Sequence, residues 1–304
     1  MSCDIPLEIQ VEIIKRLPVK SLIQFRSVSK AWKSMIDSSR FIADHYRQQT
    51  HPQHLFVSYE YADDHNDTEK FVSYVDDDTF TQHKVSVTLP QTLIEYDIIG
   101  CSHGLLCLSG GYRHRDTVFL WNISIRKGVA VVIPKVGDGM YKYVLGLPQM
   151  VDICVYNLII SFDIMSEEFG QVNLPSVLAL DKPVNLSMSK LRESLVVLQG
   201  GGDPDNSTFV VWMMEDGVPQ LFTKIFKVNV NTPDASVKGF RMNGAPIVEV
   251  KEHDRDCTLL IVYESYSKRV DNLGIDGKQC SSSVYPYVET LLLLDQPNMD
   301  CNDM

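Results

Sequence analysis

The chain has 304 residues, 44% of them hydrophobic and 22% charged, which predicts a globular protein with two domains, or one large domain and an appendage. Its longest apolar stretch, residues 150–162, contains Asp152 and Asn157 and is shorter than the ~20 residues of a membrane helix, so we expect no membrane contact. The first ten residues lack the basic and apolar segments of a signal peptide, so we expect a cytoplasmic or nuclear protein that is not secreted.

The net charge of −11 is unevenly distributed along the chain. Residues 1–50 contain eight basic and five acidic side chains, a balance of +3, which leaves −14 for residues 51–304. An acidic body argues against a nucleic-acid partner, because phosphate contacts need an excess of Lys and Arg. The change of sign near residue 50 indicates a domain boundary. The seven cysteines form no C-x-x-C pairs and are expected to be free thiols in a reducing compartment.

The N-terminal segment predicts a module of short helices. Pro18 ends the first helix, Ser21 and Gln24 match a capping box for the second, and Ser29 is the expected N-cap of the third. The expected helices, in chain order, are residues 4–17, 21–28 and 30–37, with a weaker fourth turn over residues 40–47.

The first predicted helix has apolar residues on two sides. One stripe contains Leu7, Val11 and Ile14, and the other, on nearly the opposite side, contains Ile9, Ile13 and Leu17. A unit of about 45 residues buries only a modest part of its surface and cannot cover both stripes. We therefore expect the second stripe to be covered either by a partner or by the rest of this chain.

Residues 5–42 resemble an F-box. The resemblance rests on an apolar-Pro opening at Ile5 and Pro6, an Arg-Leu-Pro end to the first helix, Val-Lys-Ser-Leu at residues 19–22 and Phe-Arg-x-Val-Ser-Lys-x-Trp at residues 25–32. It implies binding to the Skp-type adaptor of a cullin–RING ubiquitin ligase. The adaptor-binding residues that it implies are Ile5, Pro6, Leu7, Ile9, Ile13, Leu17, Pro18, Leu22, Phe25, Val28 and Trp32.

A helix-turn-helix DNA reader is the alternative for three short basic helices. It would need a recognition face of Asn, Gln and Arg in series, and the sequence contains none. We therefore expect no nucleic-acid partner.

The acidic body predicts β-strands separated by turns. Alternation of apolar and polar residues predicts strands within residues 51–62, 69–75 and 83–90, and an apolar strand at residues 100–108. Four later segments share a strand–turn–strand plan, and their aromatic landmarks are spaced by 41, 50 and 51 residues. Such spacing favours propeller blades over a β-sandwich, which remains the alternative. The landmarks are Trp121, Phe162, Trp212 and Tyr263.

The same region resembles the plant F-box-associated domain, a kelch-like, propeller-related family. The matching segments are residues 98–108, 120–127, 160–175 and 287–291. The resemblance implies a target-binding half behind the F-box. Relative to that family, about one blade is missing between Pro134 and Leu158. We therefore expect either an open ring or closure with fewer blades. We expect the last strand, residues 288–294, to be vulnerable to aggregation or fast hydrogen exchange.

Candidate chemical sites are few. His45, His51 and His54 are interpreted as loop residues, and Cys101, His103 and Cys107 would point to both faces of a strand, so neither set predicts a metal site. Residues 200–203 predict a hairpin loop, and residues 63–64 and 76–78 predict solvated turn acids. No catalytic set is recognisable, so no cofactor and no enzymatic activity are predicted.

These patterns predict an α+β multidomain protein, a small helical F-box followed by an all-β, propeller-like domain that lacks about one blade. The expected divisions are the F-box at residues 1–47, a linker with the first hairpins at 48–95, the β domain at 96–294 and a flexible tail at 295–304. The predicted function is a non-catalytic receptor that joins a Skp-type adaptor, and through it cullin and RING subunits, to an unknown target protein. A propeller enzyme or a carbohydrate-binding lectin is the alternative.

Overall fold

Four helices open the chain in the computed structural model. They are α1 (Leu7–Ile14), α2 (Val19–Phe25), α3 (Lys30–Ile36) and α4 (Ser39–Arg47). The structure describes residues 5–48, 53–63, 66–77, 80, 84–94, 96–110, 114–132, 145–146, 158–163, 168–179, 186–192, 194–203, 206–215, 221–251, 257–264, 269–278 and 281–296. None of the described helices is long and apolar enough to cross a membrane.

Serine side chains cap the third and fourth helices. The Trp32 backbone N–H donates to Ser29 Oγ at 3.1 Å, which confirms the predicted N-cap of α3. The Phe41 N–H donates to Ser38 Oγ at 3.3 Å in the same way. The fourth predicted element is therefore a full helix of nine residues, longer than the weak turn expected from the sequence.

The second helix begins earlier than predicted. It starts at Val19, directly after Pro18, so Ser21 lies inside the helix and makes no capping hydrogen bond. The capping box predicted at Ser21 and Gln24 is therefore wrong. The N-cap position is taken by Pro18, whose ring has no hydrogen-bond acceptor and whose fixed φ angle suits a helix start. The first helix is shorter than predicted and ends at Ile14.

Four four-stranded antiparallel sheets follow in a propeller-like arrangement, as predicted. The first blade contains β1 (His54–Asp63), β2 (Asn66–Val75), β3 (Lys84–Val87) and the last described strand, β19 (Ser283–Tyr287). The second blade contains β4 (Asp97–Ser102), β5 (Leu105–Gly110), β6 (His114–Asn122) and β7 (Lys127–Val132).

The remaining strands form a small sheet and two further blades. The small sheet contains β8 (Leu145–Gly146), β9 (Leu158–Asp163) and β10 (Glu168–Asn173), and a short helix, α5 (Ser176–Ala179), follows it. The third blade contains β11 (Leu186–Leu191), β12 (Ser194–Asp203), β13 (Asn206–Met214) and β14 (Phe222–Val230). The fourth blade contains β15 (Ser236–Phe240), β16 (Pro246–Lys251), β17 (Thr258–Glu264) and β18 (Arg269–Gly277).

Three of the four aromatic landmarks occupy equivalent strands. Trp121, Trp212 and Tyr263 lie on the third strands of their blades, β6, β13 and β17, and Phe162 lies on β9 of the small sheet. Each landmark strand pairs with the next strand as an antiparallel hairpin. The repeat spacing therefore corresponds to a repeated structural unit, as the sequence predicts.

Strand β19 closes the β domain. Strand β19 pairs with β1 in antiparallel register from His54–Tyr287 to Ser58–Ser283. The prediction of a vulnerable last strand at residues 288–294 is therefore wrong, because the strand ends at Tyr287 and residues 288–294 follow it. The blade that the sequence comparison suggests is missing between Pro134 and Leu158 falls mostly outside the described residues.

Hydrophobic side chains fill four of the boundaries between neighbouring sheets. Tyr74 of the first blade and Leu273 of the fourth belong to one cluster, and the Tyr74 hydroxyl donates to the Leu273 carbonyl at 2.8 Å. Phe56 and Phe119 belong to the cluster between the first and second blades, and Phe240 to the one between the third and fourth. Ile159 packs the small sheet against the third blade.

Two glycine segments differ from their predictions. Residues 100–108, expected as one strand, form the β4–β5 hairpin, which turns at His103 and Gly104 with positive φ angles of 53° and 78°. Residues 200–203, expected as a loop, belong to β12, where Gly201 pairs with Thr208. The third blade's strands extend to Asp203 and Asn206, which pair with each other.

Candidate functional site

The first helix exposes three of the apolar residues predicted to bind the adaptor. Ile9 and Ile13, one helical turn apart, are each 52% exposed, and Leu7 is 61% exposed. Ile5 and Val28 are exposed to a similar degree. Ile9 and Ile13 lie on the same side of the helix, and we call the surface that they form the α1 face. Exposed apolar side chains gathered in one region are typical of a binding surface.

The opposite side of the first helix holds the module together. Ile14 is 3% exposed and packs with the buried Val19, Leu22 and Ile36. Because neighbouring positions on a helix point about 100° apart, Ile14 faces the core while Ile13 faces outward. The α1 face is therefore presented by a helix whose orientation is fixed by its other side.

The structure divides the predicted adaptor-binding residues into three groups. Leu22 is buried in the core of the helical module. Leu17, Phe25 and Trp32 are half-buried and pack against that core. The exposed members are Ile5, Pro6, Leu7, Ile9, Ile13, Pro18 and Val28. Of the predicted residues, those in the exposed group have side chains that are accessible to a partner.

An aromatic pair and an ion pair join the second helix to the third. The Phe25 and Trp32 rings meet edge to face with centroids 5.4 Å apart. Arg26 Nε lies 2.6 Å from Asp37 Oδ1, and Arg26 Nη2 lies 2.9 Å from Asp37 Oδ2. This two-bond geometry fixes the spacing between the ends of the two helices.

A second ion pair joins the first helix to the fourth. Lys15 Nζ lies 3.0 Å from Asp44 Oδ2 and 3.3 Å from Glu12 Oε1. The hydrogen bond to Asp44 raises the pKa of Lys15, and the same bond lowers the pKa of Asp44. Both groups are therefore charged at neutral pH. The helix that carries the α1 face is thus fixed by apolar packing around Ile14 and by the ion pair of Lys15 with Asp44.

The candidate metal-ligating residues are accounted for by packing. Cys101 and Cys107 are fully buried in the second blade, and burial raises the pKa of the Cys101 thiol to about 12, so this thiol is protonated at neutral pH. His45 Nε2 lies 3.1 Å from the Leu17 carbonyl inside the helical module. Among the described residues no group of three or more His, Cys, Asp or Glu side chains could hold a metal ion.

Sequence reasoning missed two long-range contacts. Asp76, predicted as a solvated turn acid, is buried and paired with Arg241, so that prediction is wrong. Leu291 and Leu294, near the end of the chain, belong to the core of the helical module. No local pattern could have identified these contacts, because they join residues more than 160 positions apart.

Comparisons with known proteins agree with this geometry. The F-box domain family matches residues 2–44. An F-box protein of Arabidopsis thaliana is 25% identical over 266 residues, which cover 75% of this chain and 82% of that protein. A second Arabidopsis F-box protein is 26% identical and covers 73% of this chain and 70% of its own length.

A solved structure, described as a 6-phosphogluconolactonase from Bacteroides uniformis, aligns with 74% of this chain and 82% of its own length. The sequence identity is 5% and the TM-score 0.26, values that support no functional inference. F-box proteins generally act in SCF ubiquitin ligases, typically as receptor subunits and not as catalysts. The chain therefore carries an F-box domain at its N-terminus and resembles plant F-box proteins along about three quarters of its length.

Proposed function

We propose that this chain is the target-recognition subunit of an SCF-type ubiquitin ligase. The α1 face would bind a Skp-type adaptor, which connects to the cullin and RING subunits, and the β domain would hold a target protein. The chain itself would perform no chemistry, and would act by placing the target near the ubiquitin-transfer subunits.

The observation that supports this proposal most directly is the exposure of Ile9 and Ile13 on a helix within the F-box match. Covering an aliphatic side chain of this size contributes about 1.5–3 kcal/mol. Several such side chains supply enough free energy for a stable complex, whereas exposed ion pairs contribute only about 0–1 kcal/mol each. The net positive charge of residues 1–50 adds attraction to an acidic adaptor surface.

The target is expected at the end of the β domain away from the F-box. The F-box contacts the β4–β5 turn, where the Tyr46 and His103 rings lie 5.3 Å apart. Since β-strands run from one end of a blade to the other, we expect the end pairs Asp63–Asn66 of β1 and β2 and Asp203–Asn206 of β12 and β13 at the opposite end. Turns at the end of a propeller are suited to binding because they vary without disturbing the sheets.

Purification from plant cells tests the proposal. The tagged full-length chain should retain the endogenous Skp-type adaptor and cullin, as identified by mass spectrometry. The double variant Ile9→Asp/Ile13→Asp should lose both, while Val85→Asp, which changes a 60% exposed residue of β3, should retain them. A wild-type chain that purifies without adaptor, or a double variant that keeps it, would contradict the proposal.

A further inference from the structure

Residues 288–296 connect the two parts of the molecule, and we call them the C-terminal strap. The strap begins where β19 ends and passes over the second blade to the helical module. It therefore follows directly on the strand that pairs with β1 and closes the β domain.

The second blade holds the strap through two side chains. The fully buried Asn122 side chain donates from Nδ2 to the Thr290 carbonyl at 2.9 Å and to the Leu292 carbonyl at 2.8 Å. Asn122 Oδ1 also accepts the Ser124 N–H at 2.9 Å. Lys127 Nζ donates to the Leu294 carbonyl at 2.9 Å. These bonds satisfy carbonyl groups of a segment that pairs with none of the described strands.

The strap also fills the core of the F-box. Leu291 and Leu294 are 1% and 4% exposed and belong to the same cluster as Ile14, Leu22 and Ile36. The Ser39 hydroxyl, in the first turn of α4, donates to Asp295 at 3.2 Å. The F-box core is thus completed by residues from the opposite end of the chain.

We propose that the strap couples closure of the β domain to completion of the F-box, so that only a chain with a closed β domain presents a firm adaptor-binding face. The strap follows β19 directly, so the pairing of β19 with β1 fixes the position at which the strap begins. From that position Leu291 and Leu294 reach the F-box core. The consequence for adaptor binding rests on the function proposed above. The structural coupling itself does not depend on it.

The variant Asn122→Asp tests the coupling in the full-length chain. The carboxylate keeps an acceptor for the Ser124 N–H and replaces the donor to the strap with a group that repels both carbonyls. Amide exchange in α1 and α3 should become about tenfold faster or more, while the third blade stays protected. Asn243→Asp is the matched control, because Asn243 Oδ1 accepts the Ala245 N–H in an exposed turn and is remote from the strap.

Leu294→Ala provides a second test, because it removes a side chain of the F-box core itself. Its control is Leu198→Ala, which changes an equally buried leucine in the third blade. Leu294→Ala should accelerate exchange in the F-box helices and weaken adaptor binding about tenfold or more, and Leu198→Ala should do neither.

The two proposals can fail separately. If the F-box helices of both strap variants exchange as slowly as in the wild type, the coupling is refuted, whatever the adaptor does. If those helices exchange faster but the wild-type chain binds no adaptor, the coupling stands and the proposed function fails.

Discussion

Arg241 Nε lies 2.8 Å from Asp76 Oδ1 and joins the fourth blade to the first. The Met242 N–H also donates to Asp76, at 2.6 Å, and the Arg241 guanidinium lies 4.0 Å from the centre of the Phe80 ring. The Asp76 side chain is only 1% exposed, whereas that of Arg241 is 16% exposed. The closure of the β domain therefore depends on a buried charge as well as on the β1–β19 pairing.

Removing the arginine should be the more damaging change. In Arg241→Ala the buried Asp76 carboxylate loses its cation, and we expect a loss of about 3–5 kcal/mol in unfolding free energy. Asp76→Ala should cost less, because water reaches the remaining guanidinium. Urea titration of the full chain measures both, and an Asp76→Ala variant less stable than Arg241→Ala would contradict this prediction.

The Ser29 cap should contribute measurably to the F-box. Ser29→Ala removes the acceptor of the Trp32 N–H and should lower the unfolding free energy by about 0.5–2 kcal/mol. Ser34→Ala is the control, because Ser34 is exposed inside α3, where alanine is at least as favourable. Equal losses in the two variants, measured by urea denaturation, would show that the cap is unimportant.

Gly104 allows the strap to pass close to the β4–β5 turn. Its φ is +78°, and a Cβ atom there would lie 2.2 Å from the Val288 carbonyl oxygen. We expect Gly104→Ala to lower the unfolding free energy by more than about 1 kcal/mol. At Gly201 a Cβ atom would have no neighbour within 4 Å, so Gly201→Ala should be close to neutral by the same thermal or urea assay. A stable Gly104→Ala protein would disprove the close approach.

Glu69 should make stability depend on pH. Glu69 is exposed, but the protein around its carboxyl group displaces part of its water, and with the charges of Glu60 and Asp97 this raises the pKa of Glu69 to about 7. Glu60 is its direct partner across β1 and β2. Because the folded state then binds the proton more tightly than the unfolded chain, this residue's contribution to stability falls as the pH rises from about 4.5 to about 7.

Glu69→Gln should therefore raise the melting temperature by about 1–3 °C at pH 8, and this gain should disappear near pH 4.5. Glu60→Gln, which removes the opposing charge, should act in the same direction. A gain from Glu69→Gln that is the same at both pH values, measured by differential scanning calorimetry, would argue against the raised pKa.

Local patterns were sufficient for much of the fold. Ser29 predicted the start of α3, and the spacing of Trp121, Trp212 and Tyr263 predicted the repeated hairpins, because caps and strand alternation depend on neighbouring residues. Residues 200–203 were misassigned because glycine usually marks a turn, whereas here the pairing of Gly201 with Thr208 keeps it in a strand.

The remaining features depend on contacts between distant residues. The sequence around Asp76 has the pattern of a solvated turn, and only the folded structure shows that Arg241 pairs with this residue. Likewise, Leu291 and Leu294 have the pattern of a strand, and only the structure shows that they pack in the F-box core. The α1 face itself was predicted in outline, but the sequence could not separate Ile13, which is exposed, from Leu17, which packs into the core.

Calorimetric titration of the purified full-length chain with a purified plant Skp-type adaptor tests the proposed function most directly. Ile9→Asp/Ile13→Asp should weaken binding about a hundredfold or more with an unchanged melting temperature, since both side chains are exposed in the free protein. Lys20→Ala, which removes an exposed charge, should weaken binding about fivefold or less. Equal losses from the two changes, or no binding by the wild-type chain, would contradict the proposal that the α1 face is the adaptor-binding surface.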